Sequence, residues 1–375
     1  MNTFELIEKH GDDHEQVVFC RNKESGLRAI IAIHNTALGP ALGGTRMWNY
    51  KTEEEALIDV LRLSKGMTYK AAAAGLNLGG GKAVIIGDSK TQKTEEMFRA
   101  FGAYVNSLAG QYITAEDVGT TVKDMEYIFM ETPYVTGIPA AFGGSGDPSP
   151  YTAHGVFMAI KASVHEQFKT DELAGLRVNV QGLGNVGSHL VGFLVQAGAK
   201  VGVADIDADK VKALTKKIPD LRVISSDEIV TSECDVFAPC ALGAVINDRT
   251  IGHLKCKIVC GGANNQLAEP RHGDALRELG ILYAPDYVAN AGGLMNVFVE
   301  LEGYSSDRAF DKTKQVYESM MRIFEIAKVE NISTHVAANR LAEHRLNKIG
   351  GLRKHYQGRT ARPHSTLKEI VLRRS

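Results

Sequence analysis

The sequence predicts an α/β protein of two domains, the second of which is a doubly wound parallel sheet with helices on both faces. A chain of 375 residues has the length of two ordinary domains. The segment GGSGDPSP at 143–150 has the composition of a linker between them. After this linker, strand-like and helical segments alternate regularly, which is the pattern of a parallel sheet. The predicted strands lie near 177–181, 200–204, 222–225, 234–238, 257–260 and 281–284.

Local sequence patterns predict the helices and strands that precede the linker. Runs of apolar residues at 17–21 and 27–33 flank a group of turn residues and predict a β-hairpin. Thr52 and Glu55 have the spacing of a capping box at the start of a helix. Residues 67–74 predict a second helical piece.

Two glycine-rich stretches, GPALGGTR at 39–46 and GLNLGGGK at 75–82, are expected to be loops, because glycine and proline interrupt regular elements. The second ends at Lys82, ahead of a strand at 83–86, and it has two interpretations. It is either a flexible loop with a solvated lysine, or a backbone that approaches a ligand closely and directs Lys82 toward it. Lys82 is followed by Ala83 rather than by Ser or Thr, so the stretch is not a phosphate-binding P-loop.

Acidic residues follow another predicted strand, at 112–115. Glu116 and Asp117 stand at its carboxyl end, where α/β proteins commonly place catalytic groups. This position makes them candidates for acid–base chemistry.

The first helix after the linker is predicted to run to about residue 168. We interpret Ser149 as its N-cap and Pro150 as its first residue. Near the C-terminus, residues 307–329 predict one long helix and residues 333–343 a shorter one.

The charge and cysteine content narrow the possible functions. The formal net charge is −1, so no overall field draws the protein to nucleic acid or membranes. The five cysteines form no C-x-x-C pair, so we expect free thiols and no metal site. A cytoplasmic location is expected, because the charged N-terminus lacks the apolar core of a signal peptide and no apolar run has the length of a membrane span. The basic tail at 345–375 is either solvated or contacts an acidic patch of a neighbouring subunit.

The motif GLGNVG at 182–187 lies between a predicted strand and a predicted helix, and its three glycines have different tasks. Gly182 allows a tight turn, Gly184 lets the backbone approach a pyrophosphate, and Gly187 lets the helix pack closely on the strand. The helix N-terminus then offers unpaired N–H groups to the phosphates. The alternative interpretation is a glycine-rich turn of an ordinary α/β protein.

An acid at the end of the next strand, Asp205, supports a dinucleotide site, because it follows Gly182 by the interval that this motif requires. Its carboxylate can accept hydrogen bonds from the ribose hydroxyls and would repel a 2′-phosphate. The sequence therefore predicts NAD rather than NADP as the cofactor. The junctions GGANN at 261–265 and NAGG at 290–293 suit the nicotinamide end, or they are only turns.

Together these segments resemble the glutamate, leucine, phenylalanine and valine dehydrogenases. The resemblance covers residues 4–358 and depends on GPALGGTRMW (39–48), MTYKAAAAGLNLGGGKAVI (67–85), YITAEDVGTT (112–121), GLGNVG (182–187) and NAGGLMNV (290–297). It implies an N-terminal α/β substrate-binding and oligomerisation domain at 1–145, to which C-terminal helices at 331–375 return. It also implies a Rossmann NAD-binding domain at 146–330, a cleft between the two, and a homo-oligomer.

The implied reaction is the reversible oxidative deamination of an L-amino acid to a 2-oxo acid and ammonia. Lys82 matches the catalytic lysine of this family, Asp117 the acid that moves protons to and from the substrate amine, and Lys70 the lysine that pairs with the substrate carboxylate. The substrate side chain is assigned by the resemblance to Leu42, Gly43, Ala115, Leu294 and Val297. The cofactor is assigned to Gly182, Gly184, Asn185, Val186, Gly187, Asp205, Asn264 and Thr152.

The apolar positions imply a branched-chain substrate. Leu42 stands where the glutamate enzymes of the family have a lysine, and Val297 where they have a hydroxyl. Ala115 is similar to the leucine-type members rather than to the phenylalanine type. Two departures from the family pattern are Gly262, where a serine is expected, and the segment 302–306.

Three alternatives stay open at this point. One is a valine or phenylalanine dehydrogenase of the same family. The second is an NAD-dependent 2-hydroxy-acid dehydrogenase, which needs a histidine general acid; the nearest candidates, His253 and His272, look like surface helix residues. The third is an NAD-sensing regulator, which would not need two lysines and an acid in glycine-rich segments.

Overall fold

The computed structural model describes residues 3–11, 13–241 and 243–355, which form two compact units. Unit 1 covers the described residues of Met1–Asp147, Val297–Ser306 and Ala342–Ser375, and unit 2 covers Pro148–Asn296 and Asp307–Leu341. The GGSGDPSP segment therefore contains the first boundary between the units.

The sheet of unit 1 has five strands in the order β1-β2-β4-β3-β5. The first two strands form the expected hairpin, and β2 continues antiparallel to β4, whereas β3, β4 and β5 are mutually parallel. The carboxyl ends of the three parallel strands therefore meet at one edge. The strands are β1 (Gln16–Asn22), β2 (Leu27–Asn35), β3 (Ala41–Trp48), β4 (Gly79–Ile86) and β5 (Tyr112–Glu116).

Helices cover both faces of this sheet. They are α1 (Thr3–Gly11), α2 (Glu53–Ala73), α3 (Glu95–Ser107) and α4 (Val122–Phe129). On one face, Val84 of β4 packs with Leu57 and Leu61 of α2. On the other face, Ala83 packs with Phe98 of α3. Because side chains alternate along a strand, Lys82 lies on the same face as Val84, the face covered by α2.

The sheet of unit 2 is fully parallel, in the order β11-β10-β9-β6-β7-β8. The chain leaves β6 in one direction and resumes at β9 in the other, so the sheet is doubly wound, as predicted. The reversal point between β6 and β9 is where such sheets bind ligands. The strands are β6 (Arg177–Gln181), β7 (Lys200–Ala204), β8 (Arg222–Val223), β9 (Val236–Pro239), β10 (Ile258–Val259) and β11 (Leu282–Tyr283).

The remaining helices follow the linker. They are α5 (Ser149–Phe168), α6 (Asn185–Gln196), α7 (Ala208–Lys217), α8 (Arg271–Glu278), α9 (Asp286–Ala289), α10 (Gly292–Leu301), α11 (Ser306–Thr313), α12 (Gln315–Glu330) and α13 (Thr334–His355). None of the helices in the described residues is long and apolar enough to cross a membrane.

The prediction that the two glycine-rich stretches are loops was wrong. Residues 41–46 belong to strand β3 and residues 79–82 to strand β4. Glycine is compatible with both strands because neighbouring backbone occupies the space of its missing side chain. A Cβ on Gly80 would lie 2.1 Å from the backbone nitrogen of Thr68 in α2.

Several helix boundaries also differ from the expectation. Residues 53–73 form one helix rather than two pieces, because Gly66 does not interrupt α2. The predicted helix at 307–329 is divided into α11 and α12, where Lys314 N bonds to Asp311 O and Tyr317 N to Lys314 O in tighter turns. The helix predicted at 333–343 continues to His355.

Residues 331–341 were assigned to the first domain, but they group with unit 2. The reason is local bonding: Thr334 Oγ1 donates to Tyr283 O, and Tyr287 OH donates to the Asn339 side chain. Residues 297–306 instead group with unit 1, where Glu300 accepts hydrogen bonds from Gly137 N and Ser145 N. Residues 356–375, most of the basic tail, lie outside the described residues.

Candidate active site

Lys82, which is buried, and Asp117, which is half-buried, form an ion pair in unit 1. Lys82 lies in β4 and its side chain is 6% exposed, while Asp117 directly follows β5. The Lys82 Nζ is 2.8 Å from Asp117 Oδ2. The sequence-predicted base and acid are therefore in direct contact, at a distance that permits proton transfer.

Arg46 of β3 is the second cation on Asp117. Its Nε donates to Asp117 Oδ2 at 3.0 Å, and its Nη1 donates to Asp59 Oδ2 at 2.9 Å. The hydroxyl of Tyr50 donates to the same oxygen of Asp59 at 2.7 Å. Arg46 therefore fixes the position of the Asp117 carboxylate, and Asp59 fixes the position of Arg46.

The sequence analysis gave Arg46 no role, although it lies within the GPALGGTRMW motif. The alternation of side chains along β3 could not have indicated the partners of Arg46, because Asp59 lies in α2 and Asp117 follows β5. The available signal was a charged residue in an otherwise apolar motif.

These two cations determine the charge state of Asp117. Burial alone would raise the pKa of the Asp117 carboxyl, but the charges and hydrogen bonds of Lys82 and Arg46 outweigh burial and lower the pKa to about 2. Asp117 is therefore a carboxylate at neutral pH.

This shift predicts a pH dependence of stability. The pKa of Asp117 is about 2 in the folded protein against 3.8 for the unpaired group, so its contribution is complete above about pH 4 and is lost as the pH falls through 2. The contribution is about 2 kcal/mol. We expect Asp117→Asn to flatten the curve of unfolding free energy against pH between 4 and 2 by that amount, measured by chemical denaturation. Asp209→Asn, at a side chain that is 93% exposed, is the control. Superimposable curves for Asp117→Asn and wild type would contradict the assignment.

Backbone forms the base of the site beneath the ion pair. A Cβ on Gly43 would lie 1.8 Å from Gly81 O, and a Cβ on Gly44 would lie 2.5 Å from Glu116 O. The Tyr112 hydroxyl donates to Gly43 O at 2.6 Å from within the core. The glycines therefore allow β3, β4 and β5 to approach more closely than side chains would permit.

Two of the predicted substrate-pocket residues, Leu42 and Ala115, are buried in the strands that form this base. Leu42 pairs with Gly80 and Ala115 with Gly44 in the sheet register, so alternation places Leu42, Ala115 and Lys82 on one face. Val297, on α10, is 8% exposed. Lys70 is half-buried in the last turn of α2, the helix that covers this face. Their roles toward a substrate stay predictions.

The glycine motif of unit 2 has the backbone geometry that a dinucleotide loop requires. Gly182 has a φ of +96°, a backbone conformation that residues with a side chain rarely adopt. A Cβ on Gly187 would lie 2.0 Å from Gly182 O, whereas the space around a Cβ on Gly184 is open. Gly184 is the N-cap of α6, so Asn185 and Val186 begin the helix beside this open space. The arrangement fits a pyrophosphate at the helix N-terminus.

Asp205, which directly follows β7, accepts a hydrogen bond from the same glycine loop. Its Oδ2 accepts from Leu183 N at 2.6 Å and its Oδ1 accepts from Asp207 N at 2.8 Å. Burial raises the pKa of Asp205, but these backbone N–H groups outweigh burial and lower it. An anionic acid at this position fits the predicted ribose contact.

Asn264 lies in the junction after β10 and contacts a second predicted junction. Asn290 Nδ2 donates to Asn264 Oδ1 at 2.7 Å and to Gly262 O at 3.2 Å. A Cβ on Gly262, where a serine was expected, would lie 2.9 Å from Val186 Cγ1. Val186 thus fills the space in which a larger residue at 262 would need to fit.

Thr152, in the first turn of α5, lies against the start of α10. A Cβ on Gly293 would lie 2.6 Å from Thr152 Oγ1, and a Cβ on Gly292 2.0 Å from Tyr151 O. Leu294 follows on α10 and is 7% exposed. The NAGG segment is therefore a close helix contact within unit 2, and the cofactor and substrate roles of Thr152 and Leu294 stay predictions.

Comparison with known proteins gives consistent results along the chain. Residues 14–134 match the family described as Glu/Leu/Phe/Val dehydrogenase, dimerisation domain, and residues 143–210 and 203–354 match Glutamate/Leucine/Phenylalanine/Valine dehydrogenase. A leucine dehydrogenase of Geobacillus stearothermophilus is 57% identical over 346 residues, which are 92% of this chain and 94% of that protein. A phenylalanine dehydrogenase of Caldalkalibacillus thermarum is 49% identical, with the same shares covered. Among solved structures, the L-tryptophan dehydrogenase from Nostoc punctiforme is 45% identical and superimposes with a TM-score of 0.81, covering 92% of this chain and 99% of that one.

Proposed function

Since the chain belongs to the glutamate, leucine, phenylalanine and valine dehydrogenase family and is an amino-acid dehydrogenase, we propose that it catalyses the NAD-dependent oxidative deamination of L-leucine and other branched-chain L-amino acids. The products are the 2-oxo acid and ammonia, and the reaction is reversible. The observation that supports this most strongly is the contact of buried Lys82 with Asp117, 2.8 Å apart, on the sheet face that also carries Leu42 and Ala115.

The proposal assigns the substrate to unit 1 and the dinucleotide to unit 2. Bound by the glycine loop at 182–187 and Asp205, NAD would supply the acceptor for the hydride of the substrate Cα, and loss of that hydride would convert the substrate amine to an iminium ion. Lys70 pairs with the substrate carboxylate. Lys82 in its neutral form removes a proton from the water that attacks the iminium carbon, and Asp117 transfers protons to and from the amine that leaves as ammonia.

The charge of Lys82 affects the proton affinity of Asp117, with which it is in contact. Lys82 is one of the two cations that keep the pKa of Asp117 low. When Lys82 loses its charge, that interaction is removed, and Asp117 becomes a better proton acceptor. Water activation fits this arrangement better than a Schiff base on Lys82, since a Schiff base would leave Asp117 without a task.

NAD is proposed because the Asp205 carboxylate, held toward the glycine loop, favours free ribose hydroxyls over a 2′-phosphate. We expect the double variant Asp205→Asn with Ile206→Arg to raise kcat/KM for NADP relative to NAD, because it removes the anion and adds a cation. Ile206 is 94% exposed, so the arginine fits without rearrangement. Asn at 205 keeps an oxygen for Leu183 N, and Ile206→Arg alone is the matched control. If wild type uses NADP as well as NAD, the ribose assignment is wrong.

Substrate preference follows from the apolar pocket. A glutamate side chain would place an unpaired carboxylate against Leu42 and Val297, which costs several kcal/mol. Each buried CH₂ of an aliphatic substrate contributes about 0.8 kcal/mol, so the three further carbons of leucine favour it over alanine by roughly 2.4 kcal/mol, or about 50-fold in kcat/KM. We expect leucine, isoleucine and valine within about two orders of magnitude of one another.

One spectrophotometric panel tests this proposal. The substrates are leucine, isoleucine, valine, alanine, phenylalanine and glutamate with NAD, together with the 2-hydroxy analogue of leucine. Leucine or another branched-chain amino acid should have the highest kcat/KM. A higher value for glutamate or phenylalanine would refute the pocket assignment, and a higher value for the hydroxy acid would refute the reaction class.

His272, one of the two histidine candidates for the 2-hydroxy-acid alternative, is held by contacts within the protein. His272, predicted to be exposed, is 2% exposed. Its Nε2 contacts Asp248 Oδ1 at 3.0 Å and its Nδ1 accepts from Glu269 N at 3.0 Å. Both ring nitrogens are therefore used within the protein, and none faces a substrate.

A homo-oligomer is also proposed, since residues 14–134 match a family described as a dimerisation domain. Light scattering on the purified chain measures its molar mass directly. A mass of one chain, 40.7 kDa, would refute the proposal.

A further inference from the structure

A second group of chemically reactive side chains lies in unit 1, where the chain enters β1 and leaves β2. One carboxylate oxygen of Asp13 and one ring nitrogen each of His14 and His34 lie within 4.8 Å of one another. Neither the proposed reaction nor the sequence analysis assigns them a role.

His34 has one ring nitrogen in use and one directed at this group. Its side chain is 5% exposed, and its Nδ1 makes a 2.8 Å hydrogen bond with Thr68 Oγ1 of α2. Its Nε2 lies 3.1 Å from Asp13 Oδ2, and among the described residues no group meets hydrogen-bond geometry with it. A buried nitrogen without such a partner is costly unless another ligand engages it.

His14 presents the second nitrogen. Its side chain is 1% exposed, and its ring lies edge-on to that of His34, with the centroids 4.8 Å apart. The Nε2 contacts Ser64 Oγ at 2.7 Å and Leu61 O at 3.2 Å, while the Nδ1 lies 4.0 Å from Asp13 Oδ1 and 2.8 Å from Gly11 O.

We propose that Asp13, His14 and His34 bind a divalent transition-metal cation of the zinc type, through one oxygen of Asp13, Nδ1 of His14 and Nε2 of His34. Two imidazoles and a carboxylate are ligands that zinc accepts, with a water molecule as the fourth. The Asp13 side chain is 54% exposed, so water and the metal reach the site from solvent.

The outer contacts fit this arrangement. Metal-binding histidines usually donate their other ring N–H to an oxygen, which fixes the ring and its tautomer. Thr68 Oγ1 serves this purpose for His34, and Leu61 O or Ser64 Oγ serves it for His14.

Two protein groups compete with the metal, and one of them gives a distinctive test. Gly11 O holds His14 Nδ1, so this bond must break and the tautomer must change. The Lys65 ammonium lies 2.9 Å from Asp13 Oδ2, and its charge opposes a second cation there. Removal of Lys65 should therefore strengthen metal binding, whereas a purely structural network would gain no such property.

The experiment is a Co²⁺ titration of the full chain, followed by calorimetry and by visible absorption, with Zn²⁺ displacement. We expect one ion per chain. Asp13→Asn and His14→Gln should each weaken binding at least about tenfold, since even outer contacts of metal sites contribute on that scale. Lys65→Met should tighten binding, and His253→Gln, at an exposed histidine in unit 2, should leave it unchanged.

Two results would overturn the proposal. The first is an affinity for Co²⁺ that Asp13→Asn and His14→Gln do not change. The second is a failure of Lys65→Met to tighten binding, because the Lys65–Asp13 pair would then not compete with a metal. The side chains of Asp13 and Lys65 are 54% and 45% exposed, so their variants are expected to fold, which near-UV circular dichroism checks.

Discussion

Replacement of Lys82 by methionine is expected to lower kcat by at least about 10², because a positioned acid–base group contributes about 10² to 10⁴. The methionine keeps most of the apolar stem in its buried place but cannot remove a proton from water. Asp117 retains Arg46 as a partner, at 3.0 Å, so its carboxylate is not left unpaired. NAD binding, measured by fluorescence, should be retained, because the proposed cofactor residues belong to unit 2.

The matched control is Lys93→Met. Lys93 is also a partly buried lysine of unit 1 paired with an aspartate, Asp124, but it has no proposed catalytic role. Its loss should affect stability more than turnover. If Lys82→Met and Lys93→Met reduced kcat by similar factors, Lys82 would not be the general base.

The second large effect is expected from Gly43→Ala. A Cβ at this position would lie 1.8 Å from Gly81 O, so β3 and β4 must separate to accept it. Overpacking of a core costs 1 to 3 kcal/mol and occasionally more, and here the obstacle is backbone, which cannot rotate away. We expect a loss of about 3 kcal/mol in unfolding free energy and a loss of activity.

Gly66→Ala, in the same unit, is expected to raise the unfolding free energy rather than lower it. Gly66 is an exposed position within α2, and apart from its chain neighbours and the backbone of its own helix no described atom lies within 4 Å of the Cβ that an alanine would add. Alanine in a helix interior is more favourable than glycine by about 0.8–1.0 kcal/mol, so this variant should be more stable than wild type. Equal destabilisation of Gly43→Ala and Gly66→Ala in urea denaturation would show that close packing of the strands is not the cause.

The sequence was most informative where structure depends on neighbours along the chain. The strand at 177–181, the GLGNVG turn and the strand at 200–204 form one βαβ segment, and they are found at the predicted residues. Right-handed crossovers between parallel strands restrict the arrangements open to such an alternation, but they do not by themselves determine the strand order of the sheet.

It was least informative where distant segments decide the conformation. The glycines of 39–46 and 75–82 lie in strands because α2 and neighbouring strands occupy the space beside them, and no local rule describes that space. The same reason applies to His272, which is buried by contacts with Asp248 from another part of the chain. Arg46 was missed as a functional candidate for this reason too, since its two carboxylate partners come from other elements.

The glycine base of the unit 1 site also limits how this protein could evolve a new specificity. At Gly43, Gly44, Gly80 and Gly81, any added side chain meets other atoms within 3 Å, so a mutational library gains no variants there. Useful diversity is confined to residues that already carry a side chain, such as Leu42, Ala115 and Val297. A directed-evolution experiment on the proposed substrate pocket should therefore randomise these three positions and leave the glycines fixed.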